Sequence, residues 1–474
     1  MSFTSFRYLL CLPAAAVLFF CLPNRFRLGF LWIVSMAFAF LWSWQTGALL
    51  LAEITIAYWF AAYIQQETDA VRRKWAVAAA SFLLLAGLGI FKYADFFLDS
   101  CGILSGICGD AAGGPHHIAL FLPVGISFYS FMCLGYVVAV YRGKCSAEKN
   151  WFRLGVFAGF FPQFAAGPIG TAPELLPQFR QEHHFLPDNL AIGFRLILWG
   201  FFKKVVIADR LARFADPVFA MPGNYSGMTA LVATYFFTIQ IYCDFSGYSD
   251  IAIGSAKLFG INLMRNFKQP YFADSIYEFW KRWHISLTTW FRDNLYISLG
   301  GNRVGFWRWQ GNIFLVFLIS GLWHGAAWTF VIWGALHGAL YLMEQRLKKW
   351  FGPLSGGRVW ACLRPLRILL TFHLAAFAWI FFRAPSYAKA LEFFARFRHW
   401  GVLQWGASRI PTAISFGLIA FLFGAELLIA AGWSGDYLER GRCPGWLCCC
   451  GYAGLLIGIA LLGVSGDRFI YLQF

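Results

Sequence analysis

The 474-residue chain is 59% hydrophobic and only 13% charged, with a mean hydropathy of +0.59. A soluble domain carries roughly 25% charged residues, so a water-soluble globular protein is excluded. The net charge of +16 would point to nucleic acid in a soluble chain. Here most Lys and Arg fall in short loops between apolar runs, which points instead to anionic headgroups or a phosphate-rich donor such as a coenzyme.

Apolar windows of about 18 residues, each able to cross a bilayer as a helix, recur from end to end. The first, Tyr8–Leu22, has no small-residue cleavage pattern and is followed at once by another apolar run, so it reads as a span rather than a signal peptide. Arg25 and Arg27 follow it. Arg72, Arg73 and Lys74 precede the span Trp75–Ile90, and Arg142, Lys144 and Lys149 follow the span Ile118–Tyr141. These loops share one side. The other side holds Arg7, Lys92 and a segment, Ala94–His117, with Asp95, Asp99 and Asp110 and no Lys or Arg. Eight basic residues against two predict, by the positive-inside rule, cytoplasmic basic loops and an outside N-terminus.

The twelve cysteines are mostly small hydrophobes within apolar runs, such as Cys11, Cys21, Cys133 and Cys243. Cys101 and Cys108 lie in the segment predicted to be a polar outside loop and can pair there if the compartment is oxidising. Cys448, Cys449 and Cys450 have no metal-ligand spacing.

Phe152–Phe164 is too short to cross and ends in "AAGPIG", which reads as a re-entrant segment. Further spans are predicted at Leu190–Val206, Met228–Leu258, Gly311–Met343, Leu366–Phe382, Ile414–Ala431 and Trp446–Val464. No internal repeat or low-complexity linker interrupts them, so a single membrane domain over 1–474 is expected. Asp244 and Asp250 fall inside an apolar run, where carboxylates need partners on another helix.

"DSIYEFWKRWHISLTTWFRDNLYISLGGNR", Asp274 to Arg303, has a different pattern. Ser275 with Glu278 three residues on is a capping-box signature. Ile276, Phe279, Trp280, Trp283, Leu287, Trp290 and Phe291 keep helical spacing. The expectation is one amphipathic helix over 274–299 lying in the interface plane, with His284 on the border of its apolar face.

His324 sits in "SGLWHGAAWTF" within the predicted 311–343 span. An ionisable residue there is costly and is a functional hypothesis by default. Burial disfavours the imidazolium, which leaves the neutral ring a general base requires. Gly321 and Gly325 permit close approach of a backbone or a substrate. His337 is thirteen residues on; in a straight helix that is roughly 20 Å away and about 140° around. His337, His373 and His399 are therefore read as structural.

At this point the chain resembles a known family, the membrane-bound O-acyltransferases, in its bacterial branch of polysaccharide O-acetylation membrane subunits. The resemblance rests on "FKY" (Phe91–Tyr93), "LPVGISFYSF" (Leu122–Phe131), "FPQFAAGPI" (Phe161–Ile169), "YCDFSGYSDIAIG" (Tyr242–Gly254), "FWKRWHISLTTWFRDNLYISLGGNR" (Phe279–Arg303), "GLWHG" (Gly321–Gly325) and "FIYLQF" (Phe469–Phe474), in that order. It implies an all-α polytopic membrane protein with about 10–12 transmembrane helices plus re-entrant and interfacial helices around a central tunnel.

The resemblance further implies that His324 is catalytic and that His284 occupies a second signature position, orienting the donor or bonding the thioester oxygen as charge develops. It implies a cytoplasmic acyl donor, acetyl-CoA, with no permanently bound cofactor and no metal. Lys281, Arg282, Arg292 and Arg303 are candidates for the coenzyme phosphates. Gln163, Trp323 and Asp244 are candidates for the tunnel wall. A separate periplasmic SGNH-type acetyltransferase is implied as partner, because no outside loop is long enough to be one. A bacterial inner membrane, with lipid contact and no nucleic acid, is the implied location. The competing readings are transfer of D-alanine or another acyl group, and a non-enzymatic transporter or flippase, which would commonly show inverted repeats.

Overall fold

The computed structural model describes residues 5–107, 121–351, 362–405, 409–432, 444–464 and 469. Among them the secondary structure is helical, with no strand. Among the described residues seven helices are long and apolar enough to cross a membrane, and Phe6–Cys21 (α1) and Ile126–Tyr141 (α6) are shorter apolar helices. This is the all-α polytopic membrane architecture that the hydropathy demands, because helices satisfy their own backbone groups in hydrocarbon. The described residues group into two compact units, 1–190 with 255–264, and 191–254 with 265–474.

The first unit is built around α2 (Asn24–Trp42), α3 (Trp44–Gln66), α4 (Ala70–Leu88), α6 and α7 (Trp151–Gly159). Ser43 caps α3, accepting from the Thr46 amide at 3.0 Å. The buried Glu53 on α3 accepts from Ser130 Oγ of α6 at 2.8 Å. The predicted loop at Ala94 is instead helical: α4 passes through a π-type turn, Gly89–Tyr93, into α5, Ala94–Ile107. Residues of α5 such as Phe96, Phe97 and Leu98 are apolar enough to continue the helix past Lys92, which the charge-based division of loops overlooked. Cys108, and with it any pairing to Cys101, lies outside the described residues.

The short segment after α7 is a series of turns, and residues 160–169 are buried. Gln163 holds this turn together: its amide donates to the Phe157 carbonyl at 2.9 Å and meets the Met132 sulfur at 3.6 Å.

In the second unit, α9 (Pro187–Phe201) and α11 (Gly227–Leu258) approach backbone to backbone. A Cβ on Gly200 would stand 2.5 Å from the Gly247 carbonyl oxygen, and one on Gly254 would stand 2.6 Å from that of Gly193. Glycine is therefore required at this crossing. Directly after α9 the chain forms a π-type segment, Phe202–Ala208, that presents two buried lysines. Lys203 pairs with Asp250 at 2.7 Å and donates to Ser246 at 2.9 Å. Lys204 bridges Asp244 at 2.5 Å and Asp209 at 2.8 Å. The partners that the aspartates needed are these lysines.

Candidate functional site

The site lies in the second unit and begins with a break in a helix. The stretch 274–299 is not one helix. Ser275 caps α12 (Ile276–Arg282), accepting from the Glu278 amide at 3.2 Å, as its sequence position predicts. The helix then stops, Trp283 is extended, and α13 (Ile285–Phe291) starts anew. A π-type turn, Arg292–Tyr296, follows. Between α12 and α13 stands His284, in the left-handed region at φ 45°, ψ 53°. A non-glycine residue there is strained and persists only where its surroundings hold it.

The segment 266–268 does the holding. The Lys268 amide donates to the Arg282 carbonyl at 2.9 Å, and the Ile285 amide donates to the Asn266 carbonyl at 2.9 Å. These bonds bracket the hinge from both sides. The fully buried Asn266 side chain completes the bracket. Its Oδ1 accepts from the Ser286 amide at 3.2 Å and from Ser286 Oγ at 3.0 Å, and it faces His284 Nδ1 at 3.1 Å. An atom that accepts from a backbone N–H is oxygen, so His284 Nδ1 carries the proton and donates. Nε2 of the neutral ring is then the acceptor nitrogen. In this state the ring has no second N–H to offer a developing oxyanion and presents Nε2 only as a hydrogen-bond acceptor. Burial pushes the His284 imidazole down to about 3 from 6.5, which keeps it neutral.

The apolar stripe of α12 and α13 is covered by protein. Phe279, Trp280, Trp283, Leu287, Trp290 and Phe291 are all buried, whereas Lys281 and Arg292 are exposed. Regular spacing predicts an apolar face but does not say whether lipid or protein covers it.

His324 is the last residue of α14 (Phe306–His324) and is 2% exposed. The predicted single span over 311–343 is a helical hairpin. Gly325 is extended, and α15 (Trp328–Phe351) begins three residues later and returns along α14. The glycines make this possible: a Cβ on Gly321 would stand 2.3 Å from the Phe330 carbonyl oxygen, and one on Gly334 would stand 2.4 Å from that of Phe317.

The hinge and the hairpin bring the two histidines together, with ring centres 6.2 Å apart. Phe245 meets His284 edge-on at 4.6 Å. His324 packs on Trp323 at 5.0 Å, Trp333 at 5.1 Å and Phe382 at 5.4 Å. Phe469, from the closing motif, stacks on Tyr248 at 4.4 Å and touches Phe245 at 5.7 Å, behind His284. The reversal at Gly325 also changes the position of His337. It shares Trp333 with His324, the two rings lying 4.9 and 5.1 Å from it. The straight-helix separation therefore does not apply.

Beside this pair is a cavity of about 470 Å³ whose lining includes Lys281, Arg292, Thr288, Trp280, Tyr341 and Ser320. Ser320 is one turn before His324 on α14. Hydrogen bonds to Tyr277 and then Glu278 raise the pKa of Lys281 above its usual value, so its ammonium stays charged. Arg282 and Arg303, candidates from sequence, are not part of the lining. Asp244 is bound into the Lys204 ion pair, and Gln163 belongs to the first unit. Trp323 lies against both histidines, 6.0 Å from His284.

Sequence reasoning missed Asn266, Trp333, Lys203 and Lys204. The lysine pair was visible as "FFKKVV", two cations in an apolar run that also needed partners. Asn266 carries no local signal.

A polytopic helical protein that buries two imidazoles beside a basic-mouthed cavity has the arrangement of a membrane-embedded transferase. The sequence profile of MBOAT, the membrane-bound O-acyltransferase family, matches residues 156–355. The chain is 39% identical over 425 residues to the probable alginate O-acetylase AlgI of Azotobacter vinelandii, covering 89% of this chain and 82% of that protein. It is 35% identical over 394 residues to the peptidoglycan O-acetyltransferase of Helicobacter pylori, covering 76% and 72%. It is 28% identical over 292 residues to the teichoic acid D-alanyltransferase of Bacillus subtilis, covering 58% and 71%. The chain belongs to the membrane-bound O-acyltransferase family and is a multi-pass membrane O-acyltransferase.

Proposed function

We propose that this chain takes an acetyl group from acetyl-CoA at the cytoplasmic face and passes it through the membrane for O-acetylation of a cell-envelope polysaccharide. The observation that carries the proposal is the pair of buried imidazoles 6.2 Å apart in a chain whose relatives include alginate and peptidoglycan O-acetylases.

In this reading the nucleotide end of the donor meets Lys281 and Arg292 at the cavity mouth, and the thioester lies at His324. A hydroxyl oxygen attacks the thioester carbon, the carbon–sulfur bond breaks, and the thiol leaves. His324 takes the hydroxyl proton and returns it to the sulfur. Such general-base assistance contributes about 10²–10⁴-fold. His284, with its acceptor nitrogen fixed by Asn266, orders the attacking group beside it. The protein sits in a bacterial inner membrane with its N-terminus periplasmic. A periplasmic SGNH-type acetyltransferase receives the acetyl group.

The test is mass analysis of O-acetyl groups on envelope polysaccharides from cells with and without the protein, together with label transfer from acetyl-CoA in inverted vesicles. Acetylation that depends on the protein supports the reading. Unchanged acetylation, or a loss confined to envelope D-alanine esters, overturns it.

A further inference from the structure

Helix α15 carries His337 one turn after Trp333 and one turn before Tyr341. The ring is fully buried, and among the described residues neither of its nitrogens has a hydrogen-bond partner. The indole N–H groups of Trp280, Trp333 and Trp379 are likewise without an acceptor. Their rings lie 5.0, 4.9 and 6.2 Å from the imidazole. Phe279 stacks parallel to it at 6.2 Å. Each unsatisfied buried polar group costs about 1–3 kcal/mol, so these four side chains, gathered around one imidazole, call for a polar partner.

Their chemistry selects the ligand. An indole only donates, whereas a neutral imidazole donates once and accepts once. The set therefore offers several donors and one acceptor between aromatic walls. Its complement is a slim chain carrying secondary amides, whose carbonyls accept from the indoles and whose N–H donates to the imidazole.

Position agrees with chemistry. Trp280 and Tyr341 line the same cavity as Lys281 and Arg292, and Trp280 also packs on His337, so it stands against both. On the far side, Trp333 touches His324.

We propose that His337 binds the amide-bearing arm of a pantetheine thioester, once Trp280 turns aside, and so delivers the thioester carbon to His324. This rests on the thioester-donor reading above. Coenzyme A and a carrier protein bear the same arm, and the site recognises what they share. His337 is a donor-positioning residue and takes no part in proton transfer.

The test is calorimetric titration of the full-length protein in detergent with coenzyme A and with adenosine 3′,5′-bisphosphate, which lacks the arm. A phosphopantetheinylated carrier protein and its apo form make the second pair. His337→Phe should weaken coenzyme A about tenfold, the loss of one hydrogen bond, and leave the bisphosphate unchanged. His337→Gln, which keeps a donor and an acceptor, should recover most of the loss. If wild type binds the modified carrier and not coenzyme A, the carrier is the source and the same variants are compared on it. Equal affinity for the arm in wild type and His337→Phe overturns the assignment, as does equal weakening of both ligands in a pair. If wild type binds neither arm-bearing ligand, the thioester reading itself fails. His337→Met gives the same comparison if the Phe variant does not fold.

Discussion

The side-chain oxygen of Asn266 lies 3.1 Å from His284 Nδ1 and also accepts from the backbone and hydroxyl of Ser286. One buried carboxamide thus fixes the tautomer of the imidazole and the strained backbone that carries it. Asn266→Ala removes the acceptor and leaves buried donors unpaired, an effect of about 1–3 kcal/mol. Acetyl transfer should fall by roughly 10- to 100-fold, with the loss in kcat rather than KM. Steady-state kinetics on reconstituted protein measures it.

The low pKa of His284 has a consequence for stability. Between 6.5 and about 3 the unfolded chain binds a proton that the native ring does not. Stability from this group is therefore complete above 6.5 and is lost as the pH falls through that window. His284→Asn, which tolerates a left-handed backbone, should show a shallower decline. Thermal unfolding in detergent at several pH values compares the two slopes.

Lys204 answers two carboxylates, Asp244 and Asp209, and all three are buried. Lys204→Met leaves both carboxylates without their cation and should cost about 3–5 kcal/mol, whereas removing both partners of a pair, as in Lys203→Met with Asp250→Asn, should cost far less. Retention of the monodisperse peak after graded heating distinguishes the two variants.

The α14–α15 hairpin depends on Gly321. Its missing Cβ would fall 2.3 Å from a backbone oxygen, which cannot move as a side chain end would. Gly321→Ala should destabilise by roughly 1–3 kcal/mol and abolish transfer by shifting His324. Gly417→Ala, at a glycine where none of the described residues beyond its own helix backbone comes within 4 Å of the added carbon, should leave activity unchanged and melting no lower.

The membrane class, the cap at Ser275 and the burial of the His324 ring were legible in the sequence, because hydropathy, capping and an ionisable ring in an apolar run are local signals. The two breaks that build the site were not. Trp283–His284 keeps helical spacing across a hinge, since the same aromatic residues pack equally well around a bend. "WHGAAW" reads as continuous apolar helix, and only the tight approach of Gly321 to Phe330 shows the chain turning back. His337 was set apart for the same reason: its distance was measured along a helix that ends at His324. Asn266 acts through contacts distant in the chain, which no spacing reveals.

The central claim is that the His324 imidazole performs the transfer. Label transfer from acetyl-CoA by the His324→Ala variant, measured beside coenzyme A binding and thermal unfolding of the same preparation, tests it most directly. The account predicts a folded protein that binds coenzyme A as wild type does and transfers less than a hundredth as much acetyl. A folded variant that transfers acetyl at a rate near wild type would contradict it.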